Sequence, residues 1–197
     1  HRTELLCLLM LEGGKTLADA RDEWREAVDL CRYYAVQAER LMQALDLPAV
    51  TGERNRLYWA PRGVFLCLSP WNFPLAILLG QVMAALVTGN SVIMKPAHQT
   101  PLIAQRIHDL LLASGFPADA VQAVFGRPAD LGPELLRHPV LAGVAFTGSC
   151  ATARQIAREL AAREGPLVPL IAETGGLNAM IADSSALPEQ LVRDVMT

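Results

Sequence analysis

Hydrophobic residues recur at helical spacing along the N-terminal part of the chain. Residues 4–11 are almost wholly apolar, and the two glycines that follow them are typical of a helix C-terminus. Thr16 then begins a capping-box pattern. In residues 17–45 one face is apolar and the other is charged, which predicts a single amphipathic helix about 40 Å long that ends before Pro48.

After Pro61 the pattern changes to short apolar runs that alternate with helical segments. Continuous apolar runs are typical of strands buried on both faces of a parallel sheet. The predicted strands cover residues 63–68, 91–95, 121–125, 142–146, 167–172 and 178–182, and the predicted helices cover 75–87, 101–114, 131–137, 149–163 and 187–196. Strands and helices that alternate at this spacing form right-handed βαβ units. The predicted fold is therefore α/β, a Rossmann-like parallel sheet with helices on both faces, preceded by long N-terminal helices.

Two local features between these elements carry separate predictions. Thr100 is predicted to cap the helix that has Pro101 in its first position. Residues 53–60 are polar and aromatic, and they fit a short strand for which the sequence offers no partner. The expected division is N-terminal helices at 1–50, a short strand region at 51–62 and the sheet domain at 63–197.

The composition excludes several classes of protein. The chain has 197 residues, 52% hydrophobic and 19% charged, with a net charge of −3. This length suits one domain with a sizeable core, and the negative charge argues against nucleic-acid and anionic-membrane surfaces. No apolar run approaches the roughly 20 residues that span a bilayer. The chain starts without methionine and stops within a predicted helix, so we expect a piece of a longer polypeptide.

The cysteines and histidines indicate no metal site. Cys7, Cys31, Cys67 and Cys150 are widely spaced and match no metal-binding template, and the histidines do not cluster. Because no secretory signal is visible, reduced thiols and a cytoplasmic location are expected. Cys150 would lie in the first turn of a helix, where some thiols are reactive, but a small buried hydrophobe is the favoured interpretation.

The carboxyl ends of the predicted strands should carry the functional site. These ends meet at one edge of a parallel sheet, where open α/β sheets bind ligands. The loops expected at this edge cover residues 69–74, 95–99, 126–130, 147–149 and 173–178. The last of them begins with Glu173, followed by two glycines and an amide.

Three side chains in these loops have both a chemical and a structural interpretation. Lys95 would hold ribose hydroxyls or a phosphate, or would be a solvated lysine. Asn72 would donate to a developing oxyanion, or would form an Asx-turn. Glu173 would be a general base, or would cap the next turn. Spacing alone favours the structural interpretation for Lys95 and Asn72.

Two further loops open predicted helices. Thr147, Gly148 and Ser149 would form an anion site suited to pyrophosphate, or Ser149 would be an ordinary helix cap; spacing weights the two equally. The loop that starts at Gly126 lacks the GxGxxG fingerprint because Pro128 removes the middle glycine, so a plain turn is favoured there.

Taken together, these loops resemble the aldehyde dehydrogenase superfamily. The matching segments are Pro70-Trp-Asn-Phe-Pro74, Lys95-Pro-Ala97, Phe146-Thr-Gly-Ser149 and Glu173-Thr-Gly-Gly176, in the family's order. The narrower resemblance is to the glutamate-γ-semialdehyde (pyrroline-5-carboxylate) dehydrogenase module of bacterial bifunctional proline-utilisation proteins. It is carried by Gly14-Lys-Thr16, Arg32-Tyr-Tyr-Ala35, Gln99-Thr-Pro-Leu-Ile-Ala104, Asn178-Ala-Met180 and Asp183-Ser-Ser-Ala186.

The resemblance implies an enzyme that oxidises L-glutamate γ-semialdehyde to L-glutamate in proline catabolism, with NAD as cofactor and NADP left open. Asn72 would hold the oxyanion that forms when a cysteine thiolate attacks the aldehyde, and Glu173 would activate the hydrolytic water. Cofactor-binding roles are implied for Ser69, Pro70, Trp71, Lys95, Ala97, His98, Gly126, Phe146, Thr147, Gly148, Ser149, Thr174 and Gly175. FAD would belong only to another domain of the parent protein.

The chain also departs from the family pattern. The family's nucleophile follows the Glu173 motif and none of the four cysteines matches it, so the catalytic domain is expected beyond residue 197 and this chain alone should be inactive. His98 replaces a glutamate common in NAD-preferring members, and Pro128 replaces a usual glycine. Residues 51–62 match the start of the oligomerisation hairpin, with its partner strand absent, and the full-length protein should be a homo-oligomer.

Two alternatives to this function stay open. One is a dehydrogenase for another aldehyde, because the substrate's carboxylate would be recognised mainly by loops outside this chain. The other is a nucleotide-binding module without catalysis. For either dehydrogenase the expected partner is a small-molecule aldehyde substrate, and neither nucleic-acid binding nor a membrane span is expected.

Overall fold

Two helices, a short β-hairpin and an α/β sheet follow one another in the computed structural model, which describes residues 1–196. The helices are α1 (Arg2–Leu11), α2 (Leu17–Leu41), α3 (Ala76–Val87), α4 (Pro101–Ala113), α5 (Pro128–Arg137), α6 (Cys150–Ala161) and α7 (Pro188–Met196). The strands are β1 (Leu45–Leu47), β2 (Asn55–Leu57), β3 (Val64–Leu68), β4 (Ser91–Lys95), β5 (Val121–Ala123), β6 (Leu141–Gly148) and β7 (Leu170–Thr174).

The main sheet has the strand order β5-β4-β3-β6-β7, and every neighbouring pair is parallel. One core lies between the sheet and α3 and α4, with α1 and α2 packed outside them. A second core lies on the other face, beneath α5 and α6. The predicted α/β fold with helices on both faces of a parallel sheet is therefore confirmed.

The helix caps come partly from distant residues. Thr16 caps α2 as predicted. Thr100 occupies the N-cap position of α4, but its side chain makes no capping bond and its buried hydroxyl has no partner within residues 1–196. The Glu12 carboxylate instead accepts hydrogen bonds of 2.8 Å from the backbone N–H groups of Leu102 and Ile103. The predicted Thr100 cap is wrong because a carboxylate from the end of α1 meets the same orphan donors.

The short strand predicted without a partner does have one. The helix predicted to reach residue 45 ends at Leu41, and the next apolar residues form β1, which pairs antiparallel with β2. Leu45 lies opposite Leu57, while Asp46 lies 3.4 Å from the Arg56 guanidinium. The apolar spacing of Leu45 and Leu47 fits both helical and strand periods, and cross-strand pairing decides in favour of the strand.

The last strand of the sheet is neither as early nor as buried as predicted. It begins after Pro169, since proline has no N–H to donate to the ladder, and Leu167 is 89% exposed. Ile171 is 58% exposed because β7 is an edge strand, and nothing within residues 1–196 covers its outer side. The strand predicted at 178–182 is absent, and these residues are exposed and irregular.

Candidate active site

The sheet places its ligand-binding edge between β3 and β6. From β3 the chain adds β4 and β5 on one side, then crosses over to add β6 and β7 on the other. This reversal is the topological switch point of a doubly wound sheet, where the loops diverge and leave a crevice. A cleft of about 380 Å³ opens at this point, along the face covered by α5 and α6.

The cleft brings together most of the residues that the sequence assigned to the cofactor. Ten of them line it: Ser69, Pro70, Trp71, Lys95, Ala97, His98, Phe146, Thr147, Gly148 and Ser149. Gly126, Thr174 and Gly175 do not line it, and neither do the two predicted catalytic residues Asn72 and Glu173. These ten residues come from three separate segments of the chain, which follow β3, β4 and β6.

The far wall of the cleft consists of residues that the sequence motifs did not identify. Gln99, Thr152, Gln155 and Glu159 also line it, as do Pro128, Gly132, Pro133, Leu135 and Leu136 of α5. The helical spacing of 149, 152, 156 and 159 was a signal that one face of α6 turns toward the site. Pro128 was assigned to a loop, but it is the first residue of α5, a position that suits its fixed φ.

Lys95 lies at the end of β4 with only 6% of its surface exposed. Its ammonium group donates to the Pro96 carbonyl at 3.0 Å. Burial lowers the pKa of the Lys95 ammonium below its ordinary value of 10.5. The interpretation as a solvated lysine is therefore wrong, and a buried donor in a cleft wall is suited to hold a polar ligand.

The N-terminus of α6 opens onto the cleft. Ser149 is its N-cap, and Oγ accepts from the Thr152 backbone N–H at 3.1 Å. Gly148 ends β6, and a side chain there would come within 2.6 Å of the Phe146 ring. Because one N–H of the first turn is capped and the others have no helical partner, this end offers donors and a positive dipole to an anion.

A buried hydroxyl in the cleft has no partner within the described part of the chain. Ser69 is 8% exposed, its Oγ lacks a hydrogen bond, and it follows β3 directly. Buried polar atoms are usually satisfied, so this hydroxyl fits a site that a ligand completes. Together with the Lys95 ammonium and the α6 N-terminus, it forms a set of donors, and apolar side chains of α5 line the wall beside them. This combination fits a dinucleotide.

Gln81 on α3 fixes the spacing of the two central strands, and no sequence motif identified it. Its Nε2 donates to the Leu68 carbonyl at 3.2 Å and to the Thr147 hydroxyl at 3.1 Å. These partners lie at the carboxyl ends of β3 and β6. A single side chain on α3 therefore ties together the two strand ends that border the crevice.

Glu173 faces the opposite side of the sheet from the cleft. It lies within β7, in register with Thr147, and is exposed, so its predicted place at the end of a buried strand is wrong. It lines a second, open cavity of about 520 Å³ together with Gln81 and Ile171. Thr147 lines both this cavity and the cleft, so the two spaces meet at the end of β6.

Asn72 lies in the bend between β3 and α3 with its side chain exposed. No hydrogen bond from within residues 1–196 holds its carboxamide. The amide is therefore free to donate to a ligand, and its position depends on the residues on either side of it.

The cysteines differ sharply in environment. Cys67 is fully buried in β3, and burial raises the pKa of its thiol to about 12, so it stays protonated. Cys150 is exposed at the start of α6, with Sγ 3.8 Å from the Gly175 carbonyl, so the interpretation as a buried hydrophobe is wrong. Residues 1–196 contain no cluster of three or more metal-ligating side chains, and none of their helices is long and apolar enough to cross a membrane.

An open parallel sheet with a donor-lined cleft at its switch point defines a nucleotide-binding α/β domain. The chain belongs to the aldehyde dehydrogenase family, whose model matches residues 1–197. This confirms the family predicted from the strand-end motifs.

Individual relatives narrow the comparison. The chain is 47% identical over 196 residues to the bifunctional protein PutA of Escherichia coli K12, covering 98% of this chain and 14% of that protein. It is 38% identical to the 1-pyrroline-5-carboxylate dehydrogenase of Anoxybacillus flavithermus, covering 94% of this chain and 37% of the relative. A mutant of Bradyrhizobium japonicum proline utilization A superposes with a TM-score of 0.94 at 57% identity, over 97% of this chain and 20% of that one.

Proposed function

We propose that this chain is the cofactor-binding part of an NAD-dependent dehydrogenase that oxidises L-glutamate γ-semialdehyde to L-glutamate in proline catabolism. The observation that carries this proposal is the cleft at the β3–β6 switch point, which gathers ten residues assigned to the cofactor from three separate segments. The similarity to PutA and to 1-pyrroline-5-carboxylate dehydrogenase supports the choice of substrate.

The cleft residues would hold the dinucleotide in three places. The Lys95 ammonium would donate to ribose hydroxyls, Gly148 and Ser149 would lie along the pyrophosphate at the α6 N-terminus, and the Ser69 hydroxyl would gain the partner it lacks. When bound, NAD supplies the acceptor for the hydride of the substrate. His98 carries no negative charge that would repel a 2′-phosphate, so NADP should also be accepted.

Asn72 and Glu173 would perform the chemistry on the aldehyde carbon. We assign the nucleophile to a cysteine thiolate outside residues 1–197. As this thiolate attacks, the Asn72 carboxamide would donate to the oxygen that gains negative charge, which a neutral amide does without competing for protons. Glu173 would then take a proton from the water that releases the carboxylic acid.

The full-length protein that contains this chain provides the test, with purified enzyme and NAD or NADP. We expect efficient oxidation of glutamate semialdehyde, with slower turnover of aliphatic aldehydes of the same length that lack the amino acid group. Preference for another aldehyde would replace the substrate and keep the enzyme class. Cofactor binding without turnover of any aldehyde would favour the alternative of a non-catalytic nucleotide-binding module.

A further inference from the structure

A buried carboxylate connects the N-terminal helices to the loop that carries Asn72. Glu23 lies on α2, and its side chain is completely inaccessible to solvent. Its Oε1 accepts hydrogen bonds from the backbone N–H groups of Leu75, at 2.8 Å, and Ala76, at 3.1 Å. These groups belong to the start of α3, whose own N-cap residue makes no side-chain bond. Glu23 therefore caps α3 from another helix.

The second oxygen of this carboxylate holds a cation against the same loop. Lys15 Nζ lies 2.8 Å from Glu23 Oε2 and forms an ion pair with it. The same ammonium lies 3.7 Å from the centroid of the Phe73 ring, which is cation–π geometry. The charged pair thus contacts the chain both at Phe73 and at Leu75.

These contacts lie directly after the residue proposed to hold the oxyanion. Asn72 directly precedes Phe73, and no hydrogen bond within residues 1–196 fixes its carboxamide. Its backbone is fixed on one side by the end of β3 and on the other by the contacts of Lys15 and Glu23. Removing either contact would therefore let the backbone beside Asn72 move, and its carboxamide would no longer keep a single direction.

A helix cap alone does not require this arrangement. A local serine or aspartate would satisfy the start of α3 without burying a charge, and burying a charged pair is costly unless its geometry is well fixed. Glu12 provides a comparison, because it also caps a helix, accepting from two N–H groups of α4 with its two oxygens. Within residues 1–196 it has no lysine partner and no aromatic contact. The addition of Lys15 and Phe73 distinguishes the Glu23 site.

We infer that Lys15 and Glu23 are positioning residues, which hold residues 72–74 so that the Asn72 carboxamide faces the developing oxyanion. This inference rests on the proposed dehydrogenase function. Misplacement of a catalytic group by about 1 Å can slow a reaction about a hundredfold. Because the effect belongs to the transition state of the step that precedes the NADH burst, the burst rate and kcat/KM should fall together while the affinity for NAD stays unchanged.

The test uses the full-length enzyme with Glu23→Gln, which keeps an acceptor for both N–H groups but removes the charge that holds Lys15. Lys15→Met removes the cation from Phe73, and Lys15→Arg restores one. We expect a ten- to hundredfold loss of the pre-steady-state rate in the first two variants, partial recovery in the third, and NAD affinity within twofold of wild type. Glu12→Gln is the matched control, and it should lower the melting temperature without slowing this rate.

The burst amplitude separates positioning from simple loss of folded enzyme, because misfolding lowers the amplitude and mispositioning lowers the rate. A double-mutant cycle with Asn72→Ala is decisive, because Glu23→Gln should lower the pre-steady-state rate only slightly in a protein that already lacks the Asn72 amide. If the wild type turns over normally and the effects of Glu23→Gln and Asn72→Ala are fully additive, the positioning role is overturned while the proposed function stands. Absence of turnover in the wild type would instead remove the proposed function, and this inference with it.

Discussion

At the scale of single residues, Lys95 should make the affinity for the cofactor depend on pH. Burial lowers the pKa of its ammonium below 10.5, so the proton that would bind ribose hydroxyls is lost earlier than from an exposed lysine. The affinity for NAD should therefore fall as pH rises through this lowered pKa. Fluorescence titration of the full-length protein at a series of pH values below 10.5 measures it. Lys95→Arg is the control, because its guanidinium stays charged and its affinity should be constant over this range; a constant wild-type affinity would contradict the assignment.

The same burial predicts a trade between stability and binding. Between the lowered pKa and 10.5 the unfolded chain holds a proton that the folded chain has released, so the free energy of unfolding rises with pH across this window. Below the window the buried charge costs stability. Lys95→Met should therefore raise the melting temperature at neutral pH and weaken NAD binding tenfold or more, since a hydrogen bond from a charged group contributes about 1.5–3 kcal/mol.

Calorimetry and NAD titration of the same preparation check both parts of this trade. The exposed Arg158 on α6 supplies the comparison, because Arg158→Met should change neither quantity appreciably. A Lys95→Met protein that melts earlier than wild type, or that binds NAD equally well, would show that the buried ammonium does not have the proposed role.

At the scale of elements, the close approach of β3 and β6 depends on a glycine. A methyl group at Gly143 would overlap with the Phe65 ring on the neighbouring strand, whereas one at Gly132 in α5 would meet no atom within 4 Å. Gly143→Ala should lower the free energy of unfolding by about 1–3 kcal/mol through overpacking. Gly132→Ala should raise it by about 0.5–1 kcal/mol, because alanine favours the helix. Denaturant unfolding of both variants tests the pair, and equal effects of the two would refute this account of the packing.

The elements also show what the sequence could predict. The central strands β3, β4 and β6 could be predicted because they are buried on both faces, and continuous apolar runs are typical of such strands. The run of residues 167–172 is also apolar, but β7, which forms from part of it, lies at an edge. Periodicity does not distinguish the two environments. The end of α2 was misplaced because Leu45 and Leu47 suit either a helix or a hairpin, and only the partner strand decides.

Some residues of the site could likewise be predicted from the sequence, and others could not. The motifs predicted the residues that follow the strands, such as Lys95 and Ser149, because parallel topology places all strand ends at one edge. The contacts of Gln81, Glu12 and Glu23 could not be predicted, since each joins segments far apart in sequence through a side chain whose direction only the packed structure sets. These side chains connect the elements around the site without belonging to any motif.

At the scale of the whole molecule, the cleft and Glu173 lie on opposite sides of the sheet and meet at Thr147. This arrangement suits a reaction in which the cofactor enters from one side and the acyl group and water are handled at the other. Around β7, exposed apolar side chains include Ile171, Leu177 and Ile181. Nothing within residues 1–196 covers this surface, so activity should be measured on the full-length protein.

The most direct test of the central claim is a rapid-mixing experiment with glutamate semialdehyde and NAD on the full-length enzyme and two variants. We predict that Asn72→Ala slows the burst of NADH about 10²–10³-fold, because the oxyanion loses its donor. Glu173→Gln should keep a fast burst but lose steady-state turnover about 10²–10⁴-fold, because hydride transfer precedes the step that needs the base. Wild-type bursts and turnover in both variants would contradict the roles assigned to the two residues, and with them the account of this site.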